Sequence, residues 1–247
     1  MYLSISYYSA ILLVWEISMG DYVSNRRIAE RFLLAFLVLA ITLFGSAGTL
    51  LWPEAWIYIA IHLGCAFLMA RWLKIHDPAL LKRRIKMKAP EAGSWDAIFM
   101  WPTLILFTIY LIIPGLDAIR FGWSHVPLAV EVAGLVLVTW GLCFIFRVMK
   151  ANSFASPIIE VQQERDHKVV DSGPYAHVRH PMYSAMIVIL LALPLWLGSL
   201  WALPVGLLVS VVICSRIFAE ERMLHAKLEG YSAYCERVRY RLIPGVW

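Results

Sequence analysis

The sequence predicts an all-α polytopic membrane protein with about six transmembrane helices, each needing roughly 20 apolar residues to cross the hydrocarbon. Three observations carry that class. The chain of 247 residues is 61% hydrophobic and only 16% charged, too apolar to be solvated by water alone, so lipid must cover much of its surface. Its apolar residues gather into long, uninterrupted stretches. Its basic residues cluster between some of these stretches and are missing between others, as loops on alternating sides of a bilayer require.

Taken in order, Met1–Ile17 is apolar over Ala10–Trp15 but rich in Ser and Tyr and closed by Glu16. It reads either as a further span or as an interfacial helix. No basic stretch precedes its apolar run and no small-x-small site follows, so a cleaved secretory signal is not expected. Phe32–Leu51 carries no charge and is the first clear span. Ala55–Met69, Ile98–Ile113, Leu128–Phe146, Tyr183–Leu197 and Leu200–Cys214 follow. The last two are short and split only at Gly198-Ser199, which makes them a tight helical hairpin.

Charge assigns the sides. Arg26, Arg27 and Arg31 precede the first span, and Arg71, Lys74, Lys82, Arg83, Arg84, Lys86 and Lys88 follow the second against the single acid Asp77. Both groups belong on the cytoplasmic side, whereas Leu51–Glu54 has no Lys or Arg and belongs outside. Alternation then puts Pro114–Pro127 and the Gly198-Ser199 apex outside, and Arg147–His180 and Arg216–Trp247 inside. The chain reads as an N-terminal region, 1–148, of membrane helices with a basic cytoplasmic loop 71–90, and a core region, 149–247. In the core, a cytoplasmic pocket is expected from loop 150–180 and the C-terminal helix. The basic patch suits anionic lipid; no nucleic-acid module is present and no nucleic-acid partner is expected.

Between the spans, Ser156–Val170 is a polar loop with short β-compatible pieces, and Asp171–Pro174 is a turn. Pro181 stands where a following helix begins and its missing N–H costs little. Arg216–Leu228 leaves the membrane as an amphipathic helix that Gly230 ends. Gly45-Ser-Ala-Gly48 lies within an apolar span and reads as a helix-packing patch. Trp52, Trp56, Trp95, Trp101, Trp196, Trp201 and Trp247 sit near span ends, as an interfacial aromatic belt does.

The four cysteines, Cys65, Cys143, Cys214 and Cys235, are scattered without a CxxC pair, so neither a disulfide framework nor a zinc site is indicated. No Rossmann glycine pattern, Walker loop, nucleophile elbow or His-Glu-x-x-His is present. Arg216 and Glu220, four apart on a helix, share a face. Alone they would make a surface pair worth ~0.3–0.5 kcal/mol. The hairpin changes this, because antiparallel neighbours return His180–Tyr183 and Arg216–Glu221 to one place. His62 and His125 stand apart. His167, His177 and His180 lack a histidine-box pattern; with Tyr175 and Tyr183 they suit an organic ligand, and no metal is expected.

Across roughly Ser156–Pro244 the chain resembles the isoprenylcysteine carboxyl methyltransferase family and the related phospholipid N-methyltransferases. The resemblance rests on His167-Lys-Val-Val170, Gly173-Pro-Tyr175, Arg179-His-Pro-Met-Tyr183, Arg216-x3-Glu220-Glu221 and Gly230-Tyr-x2-Tyr234-x2-Arg237-Val. Asp77-Pro-x-Leu-Leu-x2-Arg84 and Trp95-Asp96 are similar to a stretch in bacterial members. The resemblance implies S-adenosylmethionine bound on the cytoplasmic side without a Rossmann domain. It implies cofactor contacts from His167, Lys168, Val169, Val170, Tyr175, His180, Pro181, Met182, Tyr183 and Glu220. A glutamine upstream of His167 belongs to the pattern as well; the spacing differs here, Gln162 and Gln163 both compete, and Gln162 is taken as the contact. Arg216 would face the acceptor as the catalytic group and bind it with Glu221. The expected reaction is methylation of a lipophilic acceptor, most like isoprenylcysteine carboxyl O-methylation, with phospholipid amines or small thiols as alternatives. An NADPH-dependent sterol-type reductase and a non-catalytic membrane binding protein are the readings from other classes.

Overall fold

A computed structural model describes residues 23–85, 90 and 94–247, and all regular structure among them is helical. Met1–Ile17, and Lys86 and Lys88 of the basic loop, lie outside the described residues. Helix α1 spans Asn25–Ala47; Ser24 caps it by accepting the Arg27 N–H on Oγ at 3.3 Å. It stops before the expected Leu51 because Gly48 turns the chain at φ 73. Helix α2 (Pro53–His76) begins on a proline, and α3 (Pro78–Ile85) carries the first part of the basic loop. Helix α4 covers Trp95–Pro114 and runs on through a π-helical stretch, Gly115–Phe121, so much of the connection expected over Pro114–Pro127 is helix. Helices α5 (Leu128–Ala151), α6 (Pro181–Trp196), α7 (Ala202–Lys227) and α8 (Tyr231–Arg237) complete the chain. The polar loop between α5 and α6 contains only two short 3-10 turns, Gln163–Arg165 and Gly173–Ala176, and no strand.

Five of these helices, α1, α2, α4 with its π-helical extension, α5 and α7, are long and apolar enough to cross a membrane, and α6 is a shorter apolar helix. Such a chain is an integral membrane protein: a helix satisfies its own backbone groups, which lipid cannot. Large apolar side chains such as Ile41, Leu68, Ile105, Val136 and Val211 stay exposed on the bundle surface, where lipid is the solvent. The tryptophans divide. Trp56, Trp101 and Trp201 are exposed as a belt requires, whereas Trp52 and Trp196 are core residues, and Trp196 Nε1 donates to the Glu54 carbonyl at 2.8 Å.

Helix α6 lies between α5 and α7, α4 packs on both α1 and α7, and α2 bridges α1 and α5. Close approach in the core depends on glycines other than those expected. A Cβ at Gly45 would meet nothing within 4 Å and Gly48 is a helix terminus, but Ser46 and Ala47 between them are a close seam: a Cβ at Gly115 would collide with Ser46 Oγ and fall 2.7 Å from the Ala47 nitrogen. Gly206 of α7 faces the α6 backbone: a Cβ there would fall 2.6 Å from the Leu190 carbonyl oxygen. Tyr110 Oη of α4 donates to that same oxygen at 2.9 Å, locking three helices together.

At the far end of the hairpin the turn Leu197–Trp201 is clamped by Asp117. This fully buried carboxylate accepts on Oδ2 from Ser199 Oγ at 2.6 Å, Ser124 Oγ at 2.7 Å and the Trp201 N–H at 3.2 Å. The clamp holds α6 and α7 together at this end. Small residues permit such backbone contact in lipid-solvated bundles, and a branched side chain would force α7 away. Gly206→Val is expected to cost ~1–3 kcal/mol, the usual cost of overpacking, read as a lower melting temperature in detergent.

Candidate functional site

Where α6 begins and α7 ends, the chain lines a cleft of about 110 Å³ that is open to solvent. The loop between α5 and α6 forms one wall; the first turn of α6, the last turns of α7, and α8 form the rest. Each part has a local reason for its place. His180 precedes Pro181, which starts α6 without needing an N–H partner. Gly230 takes φ 79, redirecting the chain so that α8 folds under α7.

His167, Lys168, Val169, Val170, Tyr175, His180, Met182, Tyr183 and Glu220 all line this cleft. His180 and Glu220, from opposite arms of the hairpin, therefore border one space. Tyr183 Oη donates to Glu220 Oε2 at 2.6 Å, and its ring stacks on that of His180 with centroids 5.6 Å apart. His167 stacks on Phe154 at 4.3 Å, and its Nδ1 accepts the Gln162 N–H at 3.3 Å. Burial, followed by the nearby Arg165 cation, pushes the His167 imidazole below its ordinary value, so the neutral ring is favoured. Tyr175 accepts from Asn152 Nδ2 at 2.9 Å; burial pushes its phenol up to about 12, keeping it protonated.

Gln162, Pro181, Arg216 and Glu221 stand apart from the cleft wall. Gln162 is buried behind the loop, donating to the Phe154 carbonyl at 3.0 Å and accepting from Arg165 Nη1 at 2.9 Å. The side chain of Gln163 lies outside the described residues. His177, grouped above with the ring-bearing residues, is exposed and not in the wall. Arg216, expected to face the acceptor, is buried and held on three sides. Its Nε donates to Asp96 Oδ1 at 2.9 Å, Nη2 to the Pro157 carbonyl at 2.9 Å, and Nη1 to Tyr183 Oη. A guanidinium in this setting needs a counter-charge close by, and α4 supplies it.

Glu221, the neighbour of Glu220, turns to the interior. Its Oε1 accepts from Arg179 Nε at 2.7 Å and lies 3.3 Å from His180 Nε2, and its Oε2 accepts from Arg241 Nε at 2.8 Å. Backbone bonds from Arg179 N to Tyr240 O and from His180 N to Arg241 O, each 2.9 Å, lay the C-terminal segment along the start of α6. Glu221 thus ties the polar loop, the start of α6 and the C-terminal segment together.

Sequence reasoning passed over other contributors. Asp96 entered only as part of a resemblance, yet it is buried, and its Oδ2 accepts the N–H of Ile159, a cleft residue, at 2.6 Å. An acid in the first turn of a membrane helix was the available signal. Arg84, counted with the basic loop, is buried, and its Nη2 donates to the Ala155 carbonyl of the wall at 2.9 Å; burial lowers its guanidinium to about 9. Tyr231 lines the cleft with a buried hydroxyl that finds no nitrogen or oxygen partner among the described residues, the Cys235 thiol being its weak neighbour. No group of His, Cys, Asp and Glu suited to a metal occurs among the described residues.

Residues 130–229 match the family model described as phospholipid methyltransferase. The matched segment holds α5, the loop, α6 and α7 through the cleft-facing Glu220, and it supports a membrane methyltransferase. Comparison with curated proteins gives no match.

Two outcomes are expected from this geometry. Glu221→Ala strands Arg179 and Arg241 beside His180 and is expected to cost ~3–5 kcal/mol, as breaking a buried ion pair does; thermal unfolding in detergent and earlier proteolysis of the C-terminal segment would register it. For His167, the folded pKa lies below the ordinary 6.5, so its contribution to stability is complete above that pH and fades as pH falls through the folded value. The melting temperature is expected to decline on the acid side of about 6.5, and less steeply in His167→Asn.

Proposed function

We propose that the protein is a methyltransferase that uses S-adenosylmethionine to methylate a lipophilic acceptor, in a cleft on the cytoplasmic face of the membrane. The observation that carries this reading is the Glu220 carboxylate held at the cleft by Tyr183, inside the segment that matches the phospholipid methyltransferases.

The residues fit such a donor. A sulfonium and an ammonium call for a carboxylate and aromatic faces, and Glu220, Tyr175 and Tyr183 provide them. The Tyr231 hydroxyl, beside only the weak Cys235 thiol, offers a donor to an acceptor atom of the ligand. Lys168, exposed at the cleft, can meet a carboxylate, and Val169, Val170 and Met182 supply apolar contact. When bound, S-adenosylmethionine supplies an activated methyl group. Transfer to an oxygen, nitrogen or sulfur is an in-line displacement that leaves the electron pair on the donor sulfur. The chain's contribution is to align the two reactants and exclude water, and fixing reactants can supply ~7–11 kcal/mol of a barrier. Gln162, Pro181 and Glu221 support the wall from behind.

Isoprenylcysteine-like carboxyl O-methylation is the first reading of the acceptor, because the residues that carry that resemblance, among them His167, Tyr175, His180, Tyr183 and Glu220, gather at one cleft. Methylation of a phospholipid amine is favoured by the family match and by a second cleft carboxylate, Glu160. One experiment addresses donor and acceptor together. Detergent-solubilised protein is given methyl-labelled donor with either a prenylated cysteine analogue or vesicles containing an aminophospholipid. A base-labile methyl ester marks the first acceptor and a base-stable headgroup label the second. Glu220→Ala and His180→Ala are expected to lose donor binding; undiminished binding in both would refute the site.

A further inference from the structure

We infer that Asp96 is a positioning residue of the transferase site, holding Glu220 toward the cleft through Arg216 and Tyr183. The inference rests on the transferase reading above and adds a residue from outside the matched segment, at the start of α4.

Asp96 is 3% exposed, and its two oxygens serve different walls of the site. Oδ2 pins the backbone of Ile159, which lines the cleft. Oδ1 takes Arg216 Nε, and the Pro157 carbonyl takes Nη2, so the guanidinium has one orientation. Its Nη1 then donates to Tyr183 Oη. A phenol has a single proton to give. Because Tyr183 accepts from Arg216, that proton is aimed at Glu220 Oε2, 2.6 Å away. The order of donors thus runs from the buried guanidinium outward to the carboxylate that faces the ligand.

Charge follows the same path. Arg216 is 5% exposed and lies in the fields of both Asp96 and Glu220. With Asp96 ionised beside it, Arg216 is neutralised from within, and Glu220 keeps its charge for a cation in the cleft. With Asp96 uncharged, Glu220 becomes the counter-ion of Arg216 and competes with the ligand. Asp96 touches neither reactant in this scheme; it sets what Glu220 presents.

The test uses full-length protein in detergent, with binding of S-adenosylmethionine and of S-adenosylhomocysteine measured at equilibrium beside the melting temperature. Asp96→Asn keeps the size and removes the charge, and is expected to weaken S-adenosylmethionine binding about 10- to 100-fold, the scale of a lost hydrogen bond to a charged group. Asp96→Glu should recover part of the loss. In a Tyr183→Phe background the Asp96→Asn change should add little, because the path is already cut. Asp117→Asn, an equally buried carboxylate at the other end of the bundle, should lower the melting temperature and leave donor affinity of the folded protein unaltered. Wild-type affinity in Asp96→Asn, a loss fully additive with Tyr183→Phe, or an equal loss in Asp117→Asn overturns the inference while the transferase reading stands. Absence of donor binding in the wild type overturns both.

Discussion

The carboxylate of Glu221 gathers side chains from the polar loop, the start of α6 and the C-terminal segment at one buried point. Arg179 comes from the end of the polar loop, His180 from the cap of α6, and Arg241 from the C-terminal segment. Each is a group that lipid or a dry interior would not tolerate alone, and one anion answers all of them. Remove that meeting point and the loop, α6 and the tail lose their common reference. The cleft exists because α7 ends beside this cluster.

Glu220 and Glu221 are adjacent, yet they do opposite things, and helix geometry is the reason. Successive residues on a helix point about 100° apart, so one carboxylate reaches the cleft while the next reaches the interior. The interior one is saturated by cations and fixes structure. The outer one is held by a single tyrosine hydroxyl and borders open space. A similar division separates the two ends of the hairpin: Asp117 clamps the turn at one end, and the cleft lies at the other.

The helices were legible because apolar length and the absence of charge act locally. The spans from Ala55 onward lie within α2, α4, α5, α6 and α7 or overrun them by a residue or two, and Pro181 starts α6 as its ring chemistry requires. Where the reading slipped, the cause was tertiary. Gly45 resembled a packing residue by composition, but packing depends on which face meets a neighbour, and Gly115, Gly134, Gly141 and Gly206 do so where Gly45 does not. Trp52 and Trp196 sit near span ends as belt residues would, but neighbouring helices cover them. The motif residues of the loop and of α6 and α7 were readable as a set because a short hairpin must return its arms to one end.

By itself the sequence determined a lipid-solvated helical chain and the gathering of polar, ring-bearing residues at one end of a hairpin, since both follow from the order of apolar and charged residues. Only the tertiary structure decided which charges pair. Arg216, four residues from Glu220, takes Asp96 as its direct partner from 120 positions away, and Glu221 pairs with Arg179 and with Arg241 of the tail. The reason is physical: in a dry interior an ion must find its counter-charge within a few ångströms, and which groups come that close depends on helix neighbours that no local pattern encodes.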